Sequence, residues 1–412
     1  MKTFFKVKSV AEVLDMIRRF PPLETETVAL EDAGARVLGT NLVADSDVPE
    51  FDRSSMDGFA VRARDTFGAG EGLPALFEVV GEVFMGSVPT IKVGPGQAAR
   101  IWTGGMLPRG ADAVVMVEYA RTVDQGQVEL SKPVAPGENV ILQGEDVAAA
   151  QVLLPKGHLL RPQDLGILAA LGKSNLAVYR RPRVAIISTG DEIVPVGEMP
   201  GPGKIRDINT YTLSALIQSY LAMPIRLGLV GDNPAKLREA VAQGLDQAEV
   251  VLISGGSSVG VRDYTVEIFN SFSDAELLIH GVSVSPGKPT IMSRLGNQSL
   301  WGLPGHAVSA MVTCGLFVRP LLRQLSGRNL EEKNWGLTVE AVLTRNVPSV
   351  HGRQDYIRVR LQENGSGLPL AIPVLGKSGL ISTMVKADGL IEIGLNDEGL
   401  LKGSPVEVFL FN

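Results

Sequence analysis

The sequence predicts a multidomain α/β plus β protein: an open, mostly parallel α/β domain joined to a β-rich inserted domain and a C-terminal β domain. Three observations carry this expectation. The chain has 412 residues, more than one hydrophobic core usually organises. Residues 181–327 alternate short apolar runs with helix-patterned segments, the signature of parallel strands joined by crossover helices. Residues 45–146 and 328–412 instead carry short β-prone runs punctuated by Gly/Pro turns.

Element by element, Val10, Val13, Leu14 and Ile17 mark a helix face that Pro21-Pro22 stops, and a second helix-like stretch lies near Glu31-Asp32-Ala33. The β insert shows Phe77 to Val80, Ala113 to Val117 and Gln127 to Leu130, with turns at Gly94-Pro95-Gly96 and Ala135-Pro136-Gly137. Residues 147–180 hold a short helix, Gln163 to Leu171, and are expected to pack back onto residues 23–44, with 1–44 and 147–180 together forming one extended connecting and dimer domain. In the α/β domain the expected strands are Val184 to Ile187, Leu227 to Val230, Val250 to Ile253, Leu277 to Val284 and a hairpin from Thr290 to Leu303. Its helices are a stretch through Leu213 to Leu221 capped by Asn209 or Thr210, one opened by Asn233-Pro234, one over Tyr264 to Phe272, and a long one from about His306 that Pro320 ends or kinks. Beyond it come strands Thr338 to Thr344, Tyr356 to Leu361 and Val406 to Phe411, with one helix near Gly379 to Lys386.

Composition narrows the function. A net charge of −6 carries no basic bias, so a nucleic-acid partner is not expected. No apolar run approaches the ~18 residues of a membrane span, and the lysine-broken N-terminus lacks a signal-peptide core. A cytoplasmic protein with no membrane partner is expected. The single cysteine, Cys314, excludes an internal disulfide and a multi-cysteine metal site, and it sits in a core pattern with Val312, Leu316 and Phe317.

Open α/β sheets bind ligands at the carboxyl ends of their strands. The loops there read Ser188-Thr189-Gly190-Asp191-Glu192, Gly231-Asp232-Asn233-Pro234, Ser254-Gly255-Gly256-Ser257-Ser258-Val259-Gly260 followed by Asp263, Ser285-Pro286-Gly287-Lys288-Pro289, and Gly302-Leu303-Pro304-Gly305-His306. The 254–260 loop offers backbone N–H groups and hydroxyls that suit phosphate. Singly, Asp263 reads as a helix cap and Asp232 as a turn residue. Together with Glu192 they would repel a phosphate unless a cation lies among them, and Mg²⁺ takes one or two carboxylates plus phosphate oxygens. Lys288 sits on a short Pro-Gly loop that holds its charge in place.

Other chemistries fit poorly. Gly256-x-Ser258-x-Gly260 matches a nucleophile-elbow spacing, but the preceding strand ends too early and His280 falls inside a strand. Gly172-Lys173-Ser174 is one residue out of P-loop register with Gly166. The four histidines have no metal spacing. A second polar constellation lies in the insert: Ser54-Ser55-Met56-Asp57-Gly58, Thr103-Gly104-Gly105 and Gly144-Glu145-Asp146.

These motifs, together with Asp263-Tyr264 and Pro286 to Pro289, run in order over essentially the whole chain and resemble the MoeA family, molybdopterin molybdenumtransferases also seen as the E-domain of gephyrin. The resemblance implies a homodimer that inserts molybdate into adenylylated molybdopterin with Mg²⁺-dependent release of AMP. The upstream molybdopterin adenylyltransferase would be a hand-over partner. It implies catalytic roles for Asp57, Thr103, Asp146, Glu192, Asp232 and Asp263, with Asp232 and Asp263 as metal ligands. Ser188, Thr189, Gly190, Ser254, Gly255, Gly256, Ser257 and Ser258 would hold the adenylated pterin. Lys288, Pro289, Ser309, Arg358 and Ser378 match the oxyanion end. The three residues from the insert would reach the other subunit's α/β domain. A tungstate-inserting paralogue and a non-catalytic pterin-binding scaffold are the alternatives. The chain departs from the family pattern at Ser285, where another lysine is common, at His306-Ala307, where Asn-Pro is common, and at Ser257, where valine is usual.

Overall fold

The computed structural model describes residues 7–124, 126–255, 259–328, 337–365 and 367–411, with the side chains of 259–263 outside that description. The chain opens with α1 (Val10–Ile17), held by a capping box in which Ser9 and Glu12 satisfy each other's backbone N–H groups. Its buried Val10, Val13 and Ile17, with Phe20, join the core of the α/β domain. This first helix therefore does not pack with the rest of residues 1–44, as the expected boundaries had it. The remainder does meet the later segment: Thr25–Ala29 pairs antiparallel with Asn175–Tyr179, and Leu42–Val43 with Val152–Leu154. Leu38, Leu160, Leu168 and Val178 fill the core between them. The stretch near Glu31 is only a 3₁₀ turn, Leu30–Asp32.

The insert folds as a six-stranded sheet that includes Gly58–Val61, Ala75–Val83, Gln97–Ile101 and Gln127–Leu130. Gly58 is required there. A Cβ at this position would lie 2.0 Å from the Val115 carbonyl oxygen.

The α/β domain runs β1 (Arg183–Thr189), α2 (Asn209–Ser219), β2 (Met223–Val230), α3 (Pro234–Gln247), β3 (Val250–Gly255), α4 (Val259–Asn270), β4 (Ala275–His280), β5 (Val284–Ser285), β6 (Ile291–Leu295), β7 (Gln298–Leu303), α5 (Ala307–Thr313) and α6 (Arg319–Leu325). The sheet order is β2-β1-β3-β7-β6-β4, parallel across the first four strands and antiparallel beyond β7. Strand alternation builds two cores. Val184, Ile186, Val250 and Leu252 face α1, α2, α5 and α6, while Ala185, Ile187, Val251 and Ile253 face α3 and α4. The chain steps outward from β1 to β2 and then crosses back over β1 to β3, so the carboxyl ends of β1 and β3 form the switch point where such sheets bind ligands.

Several expectations shift. The cap of α2 comes from Asp207, whose carboxylate accepts the Thr210 N–H at 3.1 Å, and not from Asn209 or Thr210. Helix α4 begins at Val259, earlier than Tyr264. Pro320 does not end the last helix; one wider π turn, Cys314–Val318, precedes it and leads directly into α6. The expected single strand 277–284 is two strands, because Val284 and Ser285 leave the α/β sheet and pair parallel with Gln354 and Asp355 of the C-terminal domain.

That domain contains β8 (Thr338–Leu343), β9 (Gln354–Gln362), β10 (Leu370–Pro373), the short α7 (Ser382–Val385), β11 (Gly389–Ile393) and β12 (Pro405–Leu410). Its sheet order is β5-β9-β10-β8-β12-β11, and β11 also pairs with β9, closing a small barrel-like ring. Among the described residues no helix is long and apolar enough to cross a membrane.

Candidate functional site

Three polar regions emerge. The first lies at the switch point. Gly255 ends β3 with φ +147°, and a Cβ there would sit 2.0 Å from the Thr189 carbonyl oxygen, so only glycine lets β1 and β3 end side by side. Thr189, itself buried, reaches Asp232 through its Oγ1 at 3.4 Å. The Asp232 N–H donates to Asp191 Oδ1 at 3.0 Å, so the loops after β1 and β2 hold each other. The Glu192 carboxylate folds back over Gly190, where a Cβ would meet its Oε2 at 2.7 Å. Asp191, Glu192 and Asp232 are all exposed, and among the described residues neither Glu192 nor Asp232 pairs with a lysine or arginine. No three metal ligands converge among the described residues. Gly256, Ser257 and Ser258 lie outside the described residues, as does the Asp263 side chain, so the expected loop and metal pair can be followed only through Asp232.

Ser188 and Ser254 do not offer their hydroxyls to a ligand, contrary to expectation. Both are fully buried. Ser188 Oγ donates to Asp207 Oδ1 at 3.1 Å and contacts Thr210 Oγ1 at 2.9 Å, while Ser254 Oγ accepts from Asn209 Nδ2 at 2.7 Å. Asn209 also donates to the Gly305 carbonyl at 2.8 Å, which ties α2 to the ends of β3 and β7. Asp207 is not singled out from sequence, and Asn209 only as a candidate helix cap. A buried polar pair at a helix start carries no motif of its own.

The second region is a cleft of about 1070 Å³ between the α/β and C-terminal domains. Lys288, Pro289, Ser309, Arg358 and Ser378 all line it, so the residues expected at the oxyanion end are brought together from positions 90 apart in sequence and in two domains. The Ser285-Pro286 bond is cis and turns the 285–289 loop along the wall. Ser309 lies in the first turn of α5. Arg358 is 7% exposed. Its Nη2 donates to the Gly376 carbonyl at 2.8 Å, its Nε has no partner, and no carboxylate pairs with it among the described residues. Burial pushes this guanidinium below its ordinary value. Lys288 is exposed and likewise has no carboxylate partner among the described residues. His306, His351 and Arg353 also line the cleft and were not expected there. Arg353 differs from Arg358 in being neutralised, since its Nε lies 3.0 Å from Asp355 Oδ1.

The insert holds a third group. Thr103 donates to Asp57 Oδ1 through its N–H (2.8 Å) and its hydroxyl (2.7 Å), and these bonds hold the Asp57 carboxyl below the usual carboxylate range. Asp146 lies on the surface, with its N–H bonded to the Val48 carbonyl. Among the described residues no hydrogen bond or ion pair ties residues 45–146 to the α/β domain.

An open α/β sheet with acidic switch-point loops, next to a cation-lined cleft shared with a β domain, defines an enzyme of anionic substrates. Comparison with known proteins makes this specific. Residues 8–172 match the MoeA N-terminal region (domain I and II), 185–324 a probable molybdopterin binding domain, and 340–411 the MoeA C-terminal region (domain IV). The molybdopterin molybdenumtransferase of Bacillus subtilis is 35% identical over 94% of this chain and 90% of its own, and that of Haemophilus influenzae is 34% identical over 96% of both. A crystal structure of the molybdopterin biosynthesis MoeA protein of Pyrococcus horikoshii, 32% identical, covers 98% of this chain and all of its own with a TM-score of 0.83. The chain belongs to the MoeA family of molybdopterin molybdenumtransferases, transferases of molybdenum cofactor biosynthesis.

Proposed function

We propose that this enzyme inserts molybdate into adenylylated molybdopterin, with Mg²⁺-dependent release of AMP. The observation that carries this reading is Arg358, a buried guanidinium with no carboxylate partner among the described residues, facing a cleft that also holds Lys288, Ser309 and Ser378. A buried charge left unpaired is costly, so the arrangement suits an anion supplied from outside. Tetrahedral oxyanions accept hydrogen bonds only, and guanidinium, ammonium and hydroxyl donors meet that need.

The switch-point loops suit the other end of the substrate. Asp232 and Glu192 are hard oxygen donors without a cationic side-chain partner among the described residues, which fits Mg²⁺ together with phosphate oxygens. Asp232, with Asp263, would hold the ion, which when bound neutralises charge as the phosphoanhydride breaks and AMP leaves. The residues themselves position rather than attack. Gly255 lets the ends of β1 and β3 lie side by side, and Thr189 and Asp191 fix Asp232. The sulfur ligands for molybdenum belong to the pterin, consistent with a chain whose one cysteine is buried. In this reading the working unit is a homodimer, and Asp57, Thr103 and Asp146 complete the partner's site.

The test is AMP release from adenylylated molybdopterin. Wild-type protein with Mg²⁺ and molybdate should release AMP and yield molybdenum-loaded cofactor. EDTA, or Asp232→Ala, should suppress both. Full release with EDTA present would remove the metal from the scheme, and no release under any condition would overturn the reading.

A further inference from the structure

The loop carrying Ser378 is pinned by three contacts, one from β9 of its own domain and two from the start of α5 on the α/β wall of the cleft. Arg358 Nη2 donates to the Gly376 carbonyl at 2.8 Å, the Val308 N–H donates to the Ser378 carbonyl at 3.2 Å, and His306 Nδ1 lies 2.8 Å from Ser378 Oγ. The imidazole also covers Gly379, where a Cβ would meet the ring at 3.7 Å. The first two contacts fix the backbone of the loop. Only the third acts on the hydroxyl, and it joins residues 72 apart in sequence.

A serine hydroxyl has one proton and can accept as well as donate. If it spends that proton on His306, its lone pairs point into the cleft and repel an oxyanion. If His306 donates instead, the Ser378 proton is left to point into the cleft. We propose that His306 is a positioning residue for the oxyanion: its Nδ1–H donates to Ser378 Oγ and thereby keeps the Ser378 hydroxyl as a donor toward the bound anion. This inference rests on the reading of the cleft as the oxyanion end. It assigns His306 no contact with the reacting atoms. The bound anion and the donating tautomer of His306 favour one another, because the Ser378 proton is left for the anion only when Nδ1–H is the donor.

The experiment is steady-state turnover at varied molybdate, with Asn and Ala at position 306. An Asn side chain can present an N–H donor near the Nδ1 position, whereas Ala cannot. His306→Ala should raise the molybdate KM about fivefold, the worth of one ordinary hydrogen bond, with kcat at saturating molybdate unchanged. His306→Asn should return the KM to near the wild-type value. The double variant His306→Ala/Ser378→Ala should bind molybdate no worse than Ser378→Ala alone, since His306 acts only through Ser378. A fall in kcat with unchanged KM, failure of Asn to restore, or additive losses in the double variant would each overturn the proposal. Lys288→Ala and Arg358→Met separate it from the reading beneath it. If they raise the molybdate KM while His306→Ala does not, only the role of His306 fails; if neither does, the oxyanion assignment itself fails.

Discussion

Replacing Arg358 by Met separates a group kept for folding from one kept for a ligand. The side chain is 7% exposed and makes one described hydrogen bond, to the Gly376 carbonyl. Losing that charge-assisted bond costs about 1.5–3 kcal/mol. Against this, Met removes a buried Nε that has no partner and takes a charge out of a dry wall. An unsatisfied buried donor costs about 1–3 kcal/mol, so the two effects nearly cancel. Methionine is also unbranched and of similar length, so it fills the same channel. We expect Arg358→Met to unfold in urea within about 1 kcal/mol of the wild type. For molybdate the effects do not cancel, because the bond to the anion is lost with nothing in return. The KM should rise about 10- to 100-fold, the equivalent of about 1.5–3 kcal/mol. Urea titration and turnover at varied molybdate read the two quantities on one preparation. A variant several kcal/mol less stable with an unchanged KM would show that Arg358 serves the fold, and the case for an anion in this cleft would fall with it.

Three further outcomes follow from the geometry. Asp164 is buried and bonded to Arg161 and His158, and Arg161 foremost holds its carboxyl far below the usual range. Because the folded value is lowered, its stabilisation is present above the ordinary carboxylate value near ~3.9 and is lost as pH falls through the folded value. Asp164→Ala should therefore cost about 3 kcal/mol at neutral pH, with the gap to wild type closing in acid; a gap constant from pH 7 to 3 would refute this. Gly255→Ala must push the ends of β1 and β3 apart, and should lower both the unfolding midpoint and AMP release, whereas an unperturbed variant would mean the strand ends relax freely. The Cys314 thiol is pushed up to about 12 by burial, so it should resist thiol reagents at pH 8 until the chain unfolds; rapid labelling of native protein would contradict its place in the core.

The parts legible in sequence were those with local causes. β1 and β3 announce themselves as unbroken apolar runs because both faces are covered, and Asn233 caps α3 by accepting the Lys236 N–H three residues on. What escaped was set by distant partners. Val284 and Ser285 read as the tail of one long strand, because nothing local says that they pair with residues 70 positions later. The pattern of α1 shows an apolar face but not which core receives it. At the site, Lys288 is legible from its Pro-Gly loop, whereas Ser309, Arg358 and Ser378 are named through resemblance, since no periodicity joins them. His306 carried a hint, a departure from the family pattern, but its link to Ser378 needs both domains in place. The hydroxyls of Ser188 and Ser254 misled for the opposite reason. Polar residues after a strand look like ligand donors until their partners, Asp207, Thr210 and Asn209, are seen.

The two residues that β5 lends to the C-terminal sheet have a mechanical meaning. Backbone bonds run from the loop after β4 directly into β9: the Gln354 N–H meets the Ser283 carbonyl at 2.9 Å, and Val284 and Ser285 continue the ladder. A hinge between the domains would have to tear this seam. On the proposed reading, the substrate would enter through the standing opening between the domains rather than through a jaw that swings apart across this seam. The C-terminal barrel is no detachable module either, because cutting it away would strip β9 of a neighbour and leave Val284 and Ser285 as a raw edge.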